Sequence, residues 1–232
     1  KYADYYGVCC GKKNIFFTNN DSAYESAISL VKKGMKVEAI IDIREKSNSS
    51  IINEAISYGI KIYWSHTVID TYGYRRLKKI SIMQLSKDCQ STIGSKVDID
   101  CDCLGISGGW TPAVHLFTQS GGKLKFREKD QVFIPNKYPS KQISIGSCNG
   151  DFELEEIIKN SSKSIKDFLK IDKTDYENLT IVNSKEIDKK NIWLLPSDKV
   201  IGKTKPFVDY QNDATAKDIK LALREGFRSI EH

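Results

Sequence analysis

The pattern of apolar and polar positions near the start of the chain predicts a strand, a helix and a second strand. Apolar runs of strand length occupy residues 15–17 and 37–43. Between them, apolar side chains recur at helical spacing, at Ala23, Ala27, Leu30 and Val31. Asp21 or Ser22 can cap this helix, and Gly34 stands where a left-handed residue commonly ends one. We therefore expect two parallel strands joined by a right-handed helical crossover.

A second unit of the same kind follows directly. Ser49 or Ser50 can cap a helix that Gly59 closes, and residues 60–64 form the next apolar run. Two successive strand–helix steps indicate an open α/β sheet. From residue 66 to residue 85 the period changes to the alternation of an antiparallel hairpin.

The second half of the chain is less strongly patterned. Residues 170–205 are rich in lysine and are interpreted as a variable connector. The last helix recovers clear helical spacing, with Asp213 or Thr215 as its cap. The predicted elements here are strands at residues 97–106, 131–134 and 142–145, a helix at 154–168, strand candidates at 179–182 and 192–195, and a helix at 215–232.

Charge and hydropathy argue against two classes of partner. The 36 Lys and Arg exceed the 30 Asp and Glu by only six, and many of the lysines are dispersed among acids. This is typical of a solvated surface and disfavours a nucleic-acid partner. No apolar run approaches the roughly 20 residues that a membrane-spanning helix needs, so we expect no membrane partner.

The cysteines and the chain ends suggest an internal piece of a cytoplasmic protein. The six cysteines form neither a regular disulfide framework nor a paired CxxC zinc pattern, which favours reduced thiols and no metal site. Cys101 and Cys103 alternate within an apolar stretch, where core packing is the favoured interpretation. The chain begins at Lys1 without methionine and stops at His232 inside a helical pattern, so we expect a fragment of a longer polypeptide.

The loop after the first strand has the place, but not the composition, of a dinucleotide-binding turn. Residues 18–22 contain no glycine, whereas such a turn uses glycines to let the backbone approach the pyrophosphate. Asp21 would also repel a phosphate at the start of the helix. Asp42 does occupy the place of a ribose-binding acid, so true dinucleotide binding remains an alternative. The favoured interpretation is a Rossmann unit that serves as a scaffold.

A second loop is the better candidate for binding a cofactor. Glycines stand on both sides of Ser147, Cys148 and Asn149 just before a predicted helix, so backbone amides can converge there on a phosphate or a ribityl group. A turn that only reverses the chain is the competing interpretation. The predicted cofactor-binding residues are Gly146, Ser147, Cys148, Asn149, Phe152 and Leu154.

No catalytic set is recognisable in the sequence. His115 follows a glycine-rich turn with Trp110, but a lone histidine near Phe117 is more often packed or solvated than catalytic. No Ser-His-Asp set, histidine metal spacing or phosphate-loop lysine occurs. We therefore predict no catalytic residue and no metal ligand in this chain.

Several ordered segments resemble the alpha subunit of heterotetrameric sarcosine oxidase. The most specific is Phe-Val-Asp-Tyr-Gln-Asn-Asp-Ala-Thr-Ala-Lys-Asp-Ile at residues 207–219. The others are Tyr-Gly-Val at residues 6–8, Phe-Thr-Asn-Asn-Asp-Ser-Ala-Tyr at 17–24, Ile-Ser-Gly-Gly-Trp-Thr-Pro-Ala-Val-His-Leu at 106–116 and Gln-Ser-Gly-Gly-Lys at 119–123. The likeness is weaker in residues 46–98 and 170–205.

This resemblance implies an incomplete Rossmann-like α/β fold of the pyridine-nucleotide-disulfide oxidoreductase type. An inserted second Rossmann-like unit and a C-terminal helical connector belong to that fold. The implied domains are the tail of a first nucleotide-binding half at residues 1–10, a degenerate inserted unit at 11–98, a return segment of the first domain at 99–169, a variable connector at 170–206 and, at 207–232, the start of a connector toward a folate-binding domain.

The resemblance also implies a function, cofactors and partners. The family oxidises sarcosine to glycine, with oxygen reduced to hydrogen peroxide and the one-carbon unit passed to tetrahydrofolate. This chain would contribute structural NAD binding, completed by upstream sequence, and assembly with beta, gamma and delta subunits, while FAD and FMN lie mainly on or against the beta subunit. Alone, the fragment would be inactive.

Two alternatives remain open. One is a subunit of a related FAD- or NAD-dependent opine or hydroxyproline dehydrogenase. The other is a non-catalytic Rossmann-like interaction module. By the same resemblance, Ser147, Cys148 and Asn149 stand where the wider superfamily has an acid that contacts the flavin ribityl chain, and this departure agrees with NAD in place of FAD.

Overall fold

A computed structural model describes residues 1–139, 141–170, 190–199 and 204–228. The chain divides into two compact units. The first contains Lys1–Ser107 and Ile192–His232, and the second contains Gly108–Asn191.

The first unit is built on a four-stranded parallel sheet. The order of its strands is β3-β2-β1-β7, and every neighbouring pair is parallel. This is the order of a Rossmann half, so the Rossmann-like α/β fold predicted from the two strand–helix steps is confirmed. The elements of the unit as far as the last parallel strand are α1 (Tyr2–Tyr6), β1 (Asn14–Thr18), α2 (Ser22–Lys32), β2 (Val37–Asp42), α3 (Ser50–Ser57), β3 (Lys61–Trp64), β4 (His66–Tyr72), β5 (Lys79–Leu85), β6 (Thr92–Asp100) and β7 (Cys103–Ser107).

The core of this unit lies on both faces of the parallel sheet. On β2, Ile40 faces the helices α2 and α3, where it belongs to a cluster with Tyr24 and Ile52. Ala39 and Ile41 face the other way, into a cluster that contains Ile80, Ile82 and Cys101. Successive strand residues point to opposite faces, which explains why the middle of β2, from Ala39 to Ile41, is apolar on both faces.

An antiparallel sheet of order β4-β5-β6 covers the second face. The hairpin predicted between residues 66 and 85 is confirmed by β4 and β5. The single strand predicted at residues 97–106 is wrong, because the chain passes there from one sheet to the other. Asp100 pairs with Lys79 in the antiparallel sheet, whereas Cys103 pairs with Asn14 in the parallel one.

The change of sheet occurs at Cys101 and Asp102. The amide of Cys101 donates to the carbonyl of Lys78, and the Asp102 carboxylate accepts the amides of Lys12 at 3.0 Å and Lys13 at 2.7 Å. Cys101 is only 2% exposed, and burial raises the pKa of its thiol to about 11, as expected for a packed core cysteine. The parallel sheet therefore contains strands from both sides of position 98, since β7 follows that position and β1, β2 and β3 precede it. The domain boundary expected between residues 98 and 99 stays a prediction.

In the part that the structure describes, the second unit contains a hairpin, two α-helices and one turn of 3-10 helix. The strand predicted at residues 131–134 and the helix predicted at 154–168 are confirmed. Residues 142–145 form no strand: their alternating apolar pattern suits one, but they join no strand ladder in the part of the chain that the structure describes. The elements are α4 (His115–Gln119), β8 (Lys123–Arg127), β9 (Val132–Lys137) and α5 (Leu154–Leu169).

The C-terminal part of the first unit is a short ribbon and a helix. β10 (Phe207–Asp209) pairs with β11 (Ala214–Thr215), and α6 (Ala216–Arg224) follows. Of the two predicted caps, the structure places Thr215 at the N-cap of α6, where it forms a capping box with Asp218, and the helix is shorter than residues 215–232. Residues 192–195 form no strand, while the strand candidate at 179–182 and residues 229–232 lie outside the described residues. Among the described helices, none is long and apolar enough to cross a membrane.

Candidate functional site

The loop after β1 is filled by its own side chains. Asn20 is fully buried, and its amide nitrogen donates to Asn19 Oδ1 at 2.7 Å and to Ser107 Oγ at 3.2 Å. Its Oδ1 accepts the backbone amide of Ser22 at 3.0 Å. In a glycine-rich turn this approach is left free for a pyrophosphate. Here amide and hydroxyl groups satisfy one another instead.

Asp42, the acid at the end of β2, is also fully engaged in hydrogen bonds within the protein. Asp42 is fully buried, and its carboxylate accepts the Tyr24 hydroxyl at 2.8 Å, the Arg44 backbone amide at 2.9 Å and Arg44 Nη2 at 2.8 Å. Burial, followed by the charge of Asp42, raises the pKa of Tyr24, so the phenol stays protonated and donates. A ribose hydroxyl would have to displace one of these donors.

Arg44 also neutralises the acid at the start of α2. Its Nη2 lies 2.7 Å from Asp21 Oδ1, and its side chain is only 4% exposed. Burial opposes the charged form of Arg44, but the hydrogen bonds and charges of Asp42 and Asp21 outweigh that effect and raise its pKa. The N-terminus of α2, which favours anions, therefore lies next to the Asp21 carboxylate, and that carboxylate is paired with Arg44. This geometry agrees with the scaffold interpretation of the loop.

Restoring glycine at position 19 is expected to leave this edge of the sheet unable to bind a dinucleotide. An Asn19→Gly variant loses the side-chain oxygen that accepts from Asn20, but it keeps the contacts of Asn20 with Ser107 and Ser22 and the pairing of Asp21 and Asp42 with Arg44. Calorimetric titration with NAD should give no heat of binding for either the variant or the unchanged chain, with circular dichroism as the control for folding. Tight binding by the variant would contradict the scaffold interpretation.

The glycine loop, residues 146–154, forms a tight turn in the second unit. Gly146–Asn149 is one turn of 3-10 helix, and both Gly146 (φ 70°) and Gly150 (φ 85°) adopt left-handed conformations. The amide of Asp151 donates to the carbonyl of Gly146 at 3.2 Å and closes the turn. Helix α5 then begins at Leu154. Glycine suits both positions because a side chain would be strained there.

The six predicted cofactor-binding residues share this turn but differ in exposure. Gly146 is buried, and Cys148, Asn149 and Phe152 are half-buried. Ser147 is exposed and Leu154 is 58% exposed. The Cys148 thiol donates to the carbonyl of Ile145 at 3.0 Å, so it points back to the chain. Their role in binding stays a prediction.

Arg127, which the sequence did not single out, holds the glycine loop from β8. Its Nη2 donates to the carbonyl of Gly150 at 2.8 Å, and its Nε lies 2.7 Å from Asp130 Oδ1. The hydrogen bond with Asp130 raises the pKa of Arg127, and the charges of Asp151 and Glu156 add to that effect. Position 127 is 23 residues from Gly150 in a lysine-rich hairpin, so no sequence pattern marked it.

Acids surround the start of α5. Glu153 is its N-cap residue, and Glu155 and Glu156 lie in its first turn. One oxygen of the next acid upstream, Asp151 Oδ2, is inaccessible to solvent and has no hydrogen-bond partner among the described residues. Such acids stabilise a helix N-terminus but oppose a phosphate there.

Comparison with known proteins bears on both loops. The family model of the sarcosine oxidase A3 domain matches residues 203–232. The sarcosine oxidase alpha subunit of Corynebacterium sp. (strain P-1) is 28% identical over 240 residues, which cover 100% of this chain and 24% of that protein. The chain is similar to sarcosine oxidase alpha subunits along its whole length. The alpha subunit from Rhizobium meliloti (strain 1021) is 25% identical over 99% of this chain and 22% of its own length.

The similarity to sarcosine oxidase alpha subunits that the sequence motifs predicted is confirmed. It covers the whole chain and therefore includes both candidate loops. The chain spans about a quarter of the length of these relatives. Among solved structures, the thioredoxin reductase of T. acidophilum has a TM-score of 0.43 and 18% identity over 69% of this chain and 55% of its own. L-Proline dehydrogenase from P. horikoshii has a TM-score of 0.46 and 15% identity over 97% of this chain and 40% of its own.

His115 has no catalytic surroundings in the structure. It is exposed at the first position of α4, and its imidazole makes no hydrogen bond within the described part of the chain. Trp110 is 59% exposed. The described residues also contain no group of three His, Cys, Asp or Glu side chains arranged to hold a metal ion.

Proposed function

We propose that this chain is the Rossmann-like part of a sarcosine oxidase alpha subunit and holds NAD as a structural cofactor at the glycine loop. The observation that carries this proposal is the similarity to such subunits over the whole chain. The loop after β1, which is filled by its own side chains, supports this placement. Arg44 is bonded there to Asp42 and Asp21, so these groups are not available to bind a ribose or a phosphate. Because the relatives are sarcosine oxidase subunits, the protein that contains this chain would be an oxidoreductase.

In this proposal the complete enzyme oxidises sarcosine to glycine, produces hydrogen peroxide and passes the one-carbon unit to tetrahydrofolate. FAD and FMN would lie on or against the beta subunit, and the gamma and delta subunits would complete the assembly in the cytoplasm. This chain would supply nucleotide binding and subunit contacts, and it would be inactive alone. Upstream sequence would complete the NAD site.

The glycine loop offers a partial fit for NAD. The left-handed Gly146 leaves room beside the backbone, since a Cβ atom there would meet only an Ile157 methyl group at 3.5 Å, whereas Arg127 and Ile134 already occupy the corresponding space at Gly150. The acids of the first turn of α5 would need cations from elsewhere to balance a pyrophosphate. NAD, when bound, would supply hydroxyl, phosphate and ring contacts that hold the loop in place.

Calorimetric titration with NAD and FAD tests the proposal. Residues 1–232 should bind neither nucleotide, whereas the longer subunit that includes the upstream nucleotide-binding half should bind NAD. Binding of NAD by the short chain would mean that upstream sequence is not needed. Absence of NAD from the longer subunit would overturn the NAD assignment.

A non-catalytic interaction module is the second candidate, because the dinucleotide edge of the parallel sheet is filled by Asp21, Asp42 and Arg44. Failure of the longer subunit to bind any nucleotide, together with stable monomeric behaviour, would favour it. Activity of a reconstituted assembly with sarcosine, measured as hydrogen peroxide formed, would exclude it.

A further inference from the structure

Two cysteines that are distant in sequence approach each other where the strands β1 and β7 begin. Cys103 is the first residue of β7 and is half-buried. Cys10 is exposed and lies in residues 7–13, which form no helix or strand and lead into β1. Both cysteines belong to the first compact unit. They lie at the end of the parallel sheet opposite to the filled loop after β1.

Gly11 is the point at which the two segments touch. A Cβ atom there would lie 2.4 Å from Cys103 Cβ and 2.7 Å from Asp102 Oδ1, so the backbone of residue 11 packs directly against β7. The Asp102 carboxylate holds this approach, because it accepts the two backbone amides that follow Gly11. Consecutive Cα atoms are about 3.8 Å apart, which places the Cα atom of Cys10 within about 8 Å of Cys103 Cβ.

The contacts of the three thiols at this point single out one pair. The Cys9 thiol donates to the carbonyl of Gly11 at 2.9 Å and is thereby turned toward the backbone. The thiols of Cys10 and Cys103 make no hydrogen bond within the described part of the chain. Burial raises the pKa of the Cys103 thiol, and the charge of Cys10 adds to this more than those of Asp102 and Cys9. Since such effects weaken with distance, Cys10 is the thiol that faces Cys103.

We propose that Cys10 and Cys103 are a redox-sensitive pair that hydrogen peroxide converts to a disulfide, which joins the segment before β1 to β7. The Cα atoms of a disulfide lie about 4.4–6.8 Å apart, so a small movement of the irregular residues 7–13 closes the bond. This inference goes beyond the proposed function, because the pair needs no nucleotide and shares no residue with the glycine loop.

The exposed thiol reacts first, since Cys103 is kept protonated by its raised pKa. The Cys10 sulfur attacks one peroxide oxygen, the O–O bond breaks, and the other oxygen leaves as water with the thiol proton. The Cys103 sulfur then attacks the resulting sulfenic acid, the S–O bond breaks, and the hydroxyl group leaves as a second water with the Cys103 proton. The two sulfur atoms together lose two electrons, and the peroxide gains them.

Peptide mapping of the longer subunit after treatment with hydrogen peroxide tests the pair. Free thiols are blocked with N-ethylmaleimide, the protein is digested without a reducing agent, and linked peptides are identified by mass spectrometry. The major linked peptide should join residues 10 and 103 within one chain, and dithiothreitol should release it. Protein unfolded in urea before the treatment should show no preference for this pair, because only the fold brings the two residues together.

Serine variants assign the sulfur atoms. Cys10→Ser and Cys103→Ser should each abolish the linked peptide, whereas Cys9→Ser, the matched control at the adjacent position, should keep it. A link to residue 103 that persists in Cys10→Ser would overturn the inference, because Cys9 would then supply the sulfur. Failure of the unchanged folded protein to form the link would overturn it without any variant. Neither outcome bears on NAD binding, which the calorimetric titration decides separately.

Discussion

Arg44→Met is expected to lower the free energy of unfolding by about 3–5 kcal/mol, the usual effect of removing one partner from a buried ion pair. Arg44 is the cation shared by Asp42, which is fully buried, and Asp21, whose side chain is 13% exposed. Methionine fills similar volume but leaves two carboxylates without compensation. Urea unfolding followed by far-ultraviolet circular dichroism measures the change.

Two controls separate this charge effect from a general loss of arginine. Arg75→Met, at the exposed turn between β4 and β5, should change stability by less than about 0.5 kcal/mol. The double variant Asp42→Asn with Arg44→Met should be less destabilised than the sum of the single variants, because both charges are then absent. A strictly additive result, or an unaffected Arg44→Met, would show that the network does not stabilise the sheet edge.

The first unit was predictable where a local signal and a tertiary contact agree. The helical spacing around Ala27 and the glycine at Gly34 predicted α2, and the structure buries that same face against β2. The positions of Asp21 and Asp42 at the ends of their elements were also readable. Their pairing with Arg44 was missed, although an acid and an arginine two positions apart at a strand end lie on the same side of the chain and could have indicated it.

Two errors have a common physical cause. The alternation in residues 97–106 continues through Cys101, so the sequence carries no mark of the passage from the antiparallel to the parallel sheet. At residues 142–145, alternation was present but no strand ladder formed. Side-chain period indicates that a segment can be a strand, whereas the partner that makes it one is decided by the tertiary fold.

The glycine loop was found from its glycines, but the groups that hold it could not be. Arg127 and Ile134 approach Gly150 from a hairpin distant in sequence. Asp151 attracted no notice because its unpartnered oxygen is a property of the folded chain alone. Whether these residues meet a nucleotide is the part of the site that remains a prediction.

Gly150→Val is expected to destabilise the second unit and to reduce NAD occupancy of the longer subunit to about a tenth or less. Gly150 has a φ of 85°, which costs a residue with a side chain about 1–2 kcal/mol. A Cβ atom there would lie 2.7 Å from Arg127 Nη2 and 3.0 Å from an Ile134 methyl group, and such overpacking adds about 1–3 kcal/mol. The contact between Arg127 and the loop carbonyl would have to move.

Two glycines in the same unit provide graded controls for this variant. Gly121 has a φ of 87°, but a Cβ atom would meet only Pro139 at 3.9 Å, so Gly121→Val reports the backbone strain alone and should keep NAD. Gly146→Val adds the strain of φ 70° within the loop with only an ordinary contact to Ile157, and should lower occupancy less than Gly150→Val. Occupancy is measured as NAD released from the purified subunit. If Gly150→Val retained NAD as well as Gly121→Val does, the nucleotide would have to bind elsewhere, because a loop displaced from Arg127 could not keep the same contacts.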